Sequence, residues 1–458
     1  MPVSRHRTLL PGVTAAQLFA WHERPGAFDR LVPPWERVRV EERSGGLGVG
    51  ARTVLSAPVL GPIRSRWVAV HTECTPPDGF VDVQESGPFA SWRHVHRFTD
   101  GADGAVLEDE VTWQPPLGAL GRAVAGRFIN GRLDAMFGFR HRRTARDLAR
   151  LAPWAGSPRL RVVVSGASGL VGSALCAFLD AGGHTVERLV RRAPGPGEIR
   201  WSVRDGTIDH AALEGADAVI HLAGAPIAGG RWTPERKRSI LGSRVDGTRL
   251  LAATIAGLSR PPAVFVSASA VGYYGDPGTV VVDEDAPGGT GFLAEVAQAW
   301  ERASEPAAAA GVRTVNLRVG IVLAADGGVL AALLPTARLG LGGPVGSGTQ
   351  GVAWVSLDDL VGAIHHVVHD GVSSGPVNGV APEPVSQAVF ARTLGRVLSR
   401  PAFMPVPGAV IRTAMGEMGQ ALVLDGQYVR PSRLLDAGFR FDDAELESAL
   451  RHSLGRSA

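Results

Sequence analysis

The sequence predicts an α/β protein: a doubly wound parallel sheet with a C-terminal cap, preceded by a separate α+β domain. Three observations lead there. An apolar, β-branched run ending at Ser165 opens directly into Gly166, Gly169 and Gly172. Beyond it, short apolar runs alternate with helical patterns as far as about Arg400, the rhythm of βαβ units. Before residue 150 that rhythm is missing, and strand-like segments follow one another instead.

Residues 1–150 make the first predicted domain. A strand near Arg5–Leu10 precedes a helix capped by Thr14, whose hydroxyl can accept from the unpaired amides of the first turn. Six strand-like segments follow: ERVRVEE, GARTVLSA, SRWVAVHTE, GFVDVQES, ASWRHVHRF and AVLEDEVTW. From Leu117 to Leu151 apolar residues recur at helical spacing, with Leu133, Met136, Phe137, Leu148 and Leu151 on one side. An antiparallel sheet wrapped around one long helix buries both apolar faces.

The stretch Leu151–Pro158 (LAPWAGSP) reads as a linker. The second domain, 159–399, carries predicted strands at Leu160–Ser165, His184–Val190, Asp217–Leu222, Ala263–Ser267 and Arg313–Val319. Helices are expected at Leu170–Leu179, Pro234–Ile255 and Leu293–Ala310. From Arg400 the pattern turns irregular, and residues 400–458 are expected to form the cap.

The chemistry begins at GASGLVG. Gly166 and Gly169 let backbone approach a diphosphate, and Gly172 lets the following helix pack close to the sheet, as in the phosphate-binding turn of a Rossmann fold. The expected cofactor contacts are Gly166, Ser168, Gly169, Leu170, Val171 and Gly172. At the end of the second strand an acidic residue would accept from a free ribose 2′-hydroxyl. Here the chain reads LVRR, so Arg191 and Arg192 favour the 2′-phosphate of NADP(H). In VIHLAG, the residues Leu222, Ala223 and Gly224 are small or apolar where adenosine would lie against backbone. The segment VFVSASAVGYYG puts Ser269 and Tyr273 at the carboxyl end of a central strand, facing the reacting centre.

GASGLVG, VIHLAG, SRVDGT, SASAVGYYG, LRVGIVL, the block LGLGGPVGSGTQGVAWVSLDDL and the closing VRPSRLLDAGF together resemble the atypical extended short-chain dehydrogenases/reductases of NAD-dependent epimerase/dehydratase type. The resemblance runs from about Leu160 to Leu450. It implies that NADP(H) is bound, that Arg244 joins Arg191 and Arg192 around the cofactor phosphates, and that a C-terminal lobe closes over a small-molecule substrate. Before the linker, the order of elements and the phrase WHERPGAFDRLVPPW resemble the START and polyketide-cyclase-like (SRPBCC) superfamily. That likeness implies a helix-grip fold around a cavity for an apolar ligand.

One departure matters. The extended enzymes use Ser, Tyr and Lys, with Tyr as acid/base. This chain has a single lysine, Lys237, and three tyrosines, Tyr273, Tyr274 and Tyr428, none with lysine four residues on. In FLAEVAQAWE, counting back from Glu301, the tyrosine slot holds Leu293 and the lysine slot Ala297. Two activities remain in view: hydride transfer at a carbonyl or hydroxyl carbon with another proton donor, or NADP(H) binding without turnover as a sensor or scaffold. A third reading makes the N-terminal domain a carrier of apolar ligands.

Composition narrows the field. A 45% hydrophobic, 20% charged chain with net charge +3 has ample core and no strong field. Residues 1–150 carry 20 arginines against 16 acidic residues, too small an excess to argue for nucleic acid. No apolar run approaches the roughly 18 residues of a membrane span, and the N-terminus lacks a secretory signal, so a cytoplasmic protein is expected. Cys74 and Cys176 lie in different predicted domains and read as reduced thiols. His94 with His96, and His365 with His366, come without carboxylates at ligand spacing, so no metal is expected. The glycine-rich segment Gly346–Gln350 reads as a substrate loop.

Overall fold

The computed structural model describes residues 2–60 and 63–456. The chain divides into two compact units, one built mainly from residues up to Ser157 and the other mainly from Pro158 onward.

The first unit runs β1 (Val3–Pro11), α1 (Ala15–Glu23), α2 (Pro25–Leu31), β2 (Arg39–Ser44), β3 (Arg52–Leu60), β4 (Ile63–Thr75), β5 (Gly79–Ser86), β6 (Ser91–Gly101), β7 (Gly104–Gln114) and α3 (Gly118–Leu151). Its antiparallel sheet has the order β1-β7-β6-β5-β4-β3-β2, so the first strand pairs with the last. Thr14 caps α1 reciprocally with Gln17. β2 begins later than the segment ERVRVEE suggests, because Arg37 adopts a left-handed φ of 48° that interrupts extended backbone. The period of two is clean on β7, where Ala105, Leu107, Asp109, Val111 and Trp113 all point inward. On α3, Leu133 and Phe137 pack with Trp92, Val111 and Trp113.

The second unit runs β8 (Arg161–Ser165), α4 (Leu170–Gly182), β9 (Thr185–Val190), β10 (Glu198–Ser202), β11 (Thr207–Ile208), α5 (His210–Leu213), β12 (Ala218–His221), α6 (Pro234–Ala256), β13 (Val264–Ala270), β14 (Val281–Val282), α7 (Phe292–Arg302), α8 (Glu305–Ala309) and β15 (Arg313–Val319). A further strand, Gly375–Gly379, completes an eight-stranded sheet of order β11-β10-β9-β8-β12-β13-β15 and then that strand. Only the β11 edge is antiparallel. Val163, Val219 and Phe265 on adjacent strands pack with Leu251 and Ile255 of α6, which is why these strands read as continuous apolar runs. The chain adds strands on one side of β8 and then on the other, so a switch point lies between β8 and β12.

One expectation changes. The helix expected over Leu293–Ala310 is two helices, because Pro306 lacks an amide hydrogen and begins a new helix rather than continuing the old one. The connection from β9 to β10 contains no helix, only residues 191–197, because β10 starts level with Arg188 rather than at the far end of β9. Beyond Arg400 the chain forms short helices and Tyr428–Val429, which pairs in parallel with β14.

Candidate active site and ligand cavity

The switch point is lined by backbone. Gly166 turns at φ 71°, and a Cβ there would lie 2.7 Å from the Leu222 carbonyl carbon and 2.8 Å from the Ala223 nitrogen. At Gly172 a Cβ would sit 2.2 Å from the Gly166 carbonyl oxygen. Neither place tolerates a side chain, so the N-terminus of α4 can sit against the turn with its free amides at the sheet edge. The Gly169 amide donates to the Gly166 carbonyl at 2.9 Å, while Ser168 and Gly169 are exposed on the turn's outer side. Leu170 and Val171 are half-buried; the Leu170 side chain fills the space beside Gly327 and so packs inward rather than standing free. At the end of β12, Leu222 donates its amide to the Ser165 carbonyl at 3.2 Å, locking the two strand ends together.

The three arginines occupy different situations. Arg191 follows β9 directly and is exposed, and no hydrogen bond or ion pair engages its guanidinium among the described residues. Arg192 is held in a bidentate ion pair with Glu198, whose carboxylate also accepts from the Gly195 amide at 2.8 Å. Arg192 is thus already engaged by its neighbour, whereas Arg191 is not. Arg244, on α6, is buried and donates to the carbonyls of Ala225 (3.0 Å) and Ile240 (3.1 Å). Its guanidinium lies 5.0 Å from the Trp300 ring centre and within 3.3 Å of where a Gly224 Cβ would be. Burial pushes its pKa down to about 10, still cationic at neutral pH.

Ser269 and Tyr273 both stand at the carboxyl end of β13, yet the structure joins them to residues the sequence reading left out. The Ser269 hydroxyl donates to Glu301 Oε1 at 2.7 Å. Glu301 in turn takes a bidentate pair from Arg318, Nε to Oε1 at 2.8 Å and Nη2 to Oε2 at 2.9 Å. Burial works against the Arg318 cation, but the Glu301 bonds outweigh it and hold its pKa above the usual guanidinium value. The guanidinium carbon lies 3.5 Å from the Tyr273 ring centre. Arg318 Nη1 donates to the Tyr274 hydroxyl at 2.9 Å, which donates to Asn378 at 2.8 Å. Burial raises the Tyr274 pKa to about 12, so this phenol is a structural link. The Tyr273 hydroxyl makes no hydrogen bond among the described residues and is half-buried. Leu293 and Ala297 lie on α7, and Glu301 is the next residue along the same helical face.

The first unit encloses a cavity of about 660 Å³. Leu31, Leu55, Trp67, Phe80, Phe89 and Met136 give it an apolar lining, with Asp82, His94 and His96 on its wall. Register explains the polar group. Asp82 on β5 is directly opposite His94 on β6, and His96 is directly opposite Asp109 on β7. The two histidines thus do come with carboxylates, supplied across strands rather than along the chain, which corrects the expectation from spacing. Burial opposes protonation of His94, but Asp82 and Asp109 outweigh it and push its pKa up to about 9. Burial would raise both carboxyls; the neighbouring histidines more than reverse this, and Asp82 and Asp109 are held well below the usual carboxylate range. His365 packs with His369 and His184 rather than working with His366.

A parallel sheet with a glycine cradle at its switch point, joined to a sheet-and-helix cavity domain, defines a two-part protein of dinucleotide-binding type. Residues 162–378 match the NAD dependent epimerase/dehydratase family, residues 11–137 the polyketide cyclase / dehydrase and lipid transport family, and residues 406–453 a domain of unknown function, DUF1731. The chain belongs to the epimerase family of short-chain dehydrogenase/reductase type. An epimerase family protein of Mycobacterium bovis is 42% identical over 296 residues, covering 64% of this chain and 98% of its own. Epimerase family protein SDR39U1 of Homo sapiens is 39% identical over 64% of this chain and 99% of its own. Among solved structures, a nucleoside-diphosphate sugar epimerase from Corynebacterium glutamicum matches with TM-score 0.80 and 31% identity, over 99% of this chain and 90% of that one. The human SDR39U1 structure with NADPH matches with TM-score 0.59 and 36% identity, over 64% and 99%. No helix among the described residues is long and apolar enough to cross a membrane.

Proposed function

We propose that the protein is an NADP(H)-dependent oxidoreductase or epimerase that acts on a carbonyl or hydroxyl carbon of a small molecule. The observation that carries this reading is the cradle at Gly166 and Gly172, where any Cβ would collide with backbone. The human relative's NADPH supports the choice of nucleotide, as does the unengaged Arg191 at the end of β9. When bound, the nicotinamide supplies or accepts hydride. The chain does the rest. Gly166, Ser168, Gly169, Leu170, Val171 and Gly172 hold the diphosphate, Leu222, Ala223 and Gly224 take the adenosine, and Arg191 with Arg244 supplies positive charge toward the phosphates. Tyr273 holds the proton exchanged with substrate oxygen, its ring kept in place by the Arg318 guanidinium 3.5 Å from the ring centre. Ser269 is a relay hydroxyl, its proton directed at Glu301.

In this reading residues 1–150 bind an apolar ligand, 159–399 the cofactor, and 400–458 cap the substrate. The thiols of Cys74 and Cys176 suit a reducing compartment, the cytoplasm. A second reading, NADP(H) binding without turnover, is favoured by Leu293 and Ala297 standing where Tyr and Lys would be. Turnover decides between them. NADPH oxidation is measured against a panel of carbonyl substrates with the wild type and Tyr273→Phe. The enzyme reading expects a rate that falls about 100-fold or more in the variant while NADPH affinity holds. Absence of turnover across the panel supports the sensor.

A further inference from the structure

On the wall of the first unit's cavity, three potential donors converge. Asp82 Oδ2 lies 3.2 Å from His94 Nδ1 and 3.6 Å from His96 Nε2, and the donor atoms of all three residues fall within 4.8 Å of one another. Two ligand atoms about 2.1 Å from a shared ion at a near-tetrahedral angle lie about 3.4 Å apart, which the two Asp82–histidine separations match. We propose that Asp82, His94 and His96 bind a divalent transition-metal ion with its open positions facing the apolar cavity.

Three features separate this cluster from an ordinary buried ion network. The first is orientation. The far nitrogens of both rings face one carboxylate: His94 Nε2 is 3.0 Å and His96 Nδ1 2.7 Å from Asp109 Oδ1, the latter off the line of a good hydrogen bond. Ligating histidines are typically backed by a carboxylate in this way, which fixes ring orientation and raises basicity at the metal-facing nitrogen. The second is support behind that carboxylate. Asp109 Oδ2 pairs with His141 Nε2 at 2.8 Å, and His141 Nδ1 is 2.9 Å from the Thr8 hydroxyl. The third is access, because Asp82, His94 and His96 all line the cavity. Two imidazoles and one carboxylate suit Zn²⁺ or Fe²⁺ over Ca²⁺ or Mg²⁺, which prefer oxygen ligands. Three protein ligands leave at least one position for an oxygen of the ligand, such as a carboxylate or carbonyl on an apolar body. His184, His365 and His369 form a second histidine group but include no carboxylate.

The test uses the full chain, stripped with chelator and titrated with ZnSO₄ by calorimetry and with CoCl₂ by visible absorption. The expected result is one equivalent of Zn²⁺ and cobalt d–d bands of four- or five-coordinate intensity. Asp82→Asn and His96→Gln are each expected to weaken Zn²⁺ at least as much as loss of an outer-shell partner does, about 10- to 100-fold. His369→Gln is expected to leave affinity unchanged. Should either cavity variant fail to fold, the wild-type cobalt spectrum together with its retention in His369→Gln still decides. Absence of Zn²⁺ binding, six-coordinate cobalt of aqueous intensity, or loss of binding in His369→Gln with retention in His96→Gln overturns the proposal. None of these outcomes bears on the NADPH site.

Discussion

Arg191 and Arg192 are adjacent in sequence and look interchangeable, but Glu198 claims one of them. Removing Arg191 should therefore take away the cation available to a 2′-phosphate, whereas removing Arg192 should mainly release Glu198. We expect Arg191→Glu to weaken NADPH about 10-fold or more while changing NADH much less, measured by calorimetry with both nucleotides. Equal losses for both nucleotides would show that Arg191 does not read the phosphate. His221 gives a second residue-scale prediction. It is fully buried next to Ser165, with Ser165 Oγ 2.6 Å from its Nδ1, and burial drives its folded pKa down to about 3. The unfolded chain then binds the extra proton between about pH 6.5 and 3, so stability falls as pH drops through that window, by up to about 1.4 kcal/mol per pH unit for this group. Replacing His221 with Asn should flatten the pH slope of the unfolding free energy between pH 6.5 and 5. An unchanged slope would mean that His221 does not carry the effect. At this scale the glycines were legible because each answers a local backbone demand. Glu301 was hidden because its partner Arg318 lies 17 residues on, across a helix break, on β15, although its place eight residues beyond Leu293 on one helical face was a usable signal.

At the scale of elements, the strands of the parallel sheet were readable as apolar runs because both their faces are covered. The break at Pro306 was also printed in the chain, and periodicity alone overrode it. The strand Gly375–Gly379 was not readable, since a segment with a single apolar residue, Val377, among Gly, Pro and Asn joins the sheet only because β15 offers it an edge. In the antiparallel sheet, period-two alternation showed which residues face inward, and on that face His94, His96 and Asp109 interrupt an otherwise apolar series. Their partnership depends on register between strands, which no spacing along one strand reveals. The closest packing of any glycine in the cradle gives the element-scale prediction. Gly172→Ala forces the start of α4 away from the Gly166 carbonyl, and overpacking of this kind costs about 1–3 kcal/mol. The variant should melt several degrees lower and lose NADPH binding; unchanged melting and affinity would show that α4 is free to shift.

At the scale of the molecule, the chain joins a dinucleotide fold to an apolar cavity, and the two sites rest on separate sets of residues. Leu55 on β3 lines the cavity, and an arginine there puts charge and bulk into the space an apolar ligand would fill. Leu55→Arg should therefore weaken a fluorescent fatty-acid probe about 10-fold or more and leave NADPH affinity as it was. Loss of both would argue for general unfolding, and loss of neither would place the probe elsewhere. The most direct measurement of the central claim is calorimetry of NADPH against the intact protein, paired with its melting temperature. We expect one equivalent bound, tighter for NADPH than for NADH, with a rise in melting temperature. A folded protein that gives no heat and no melting shift with either nucleotide would contradict the account.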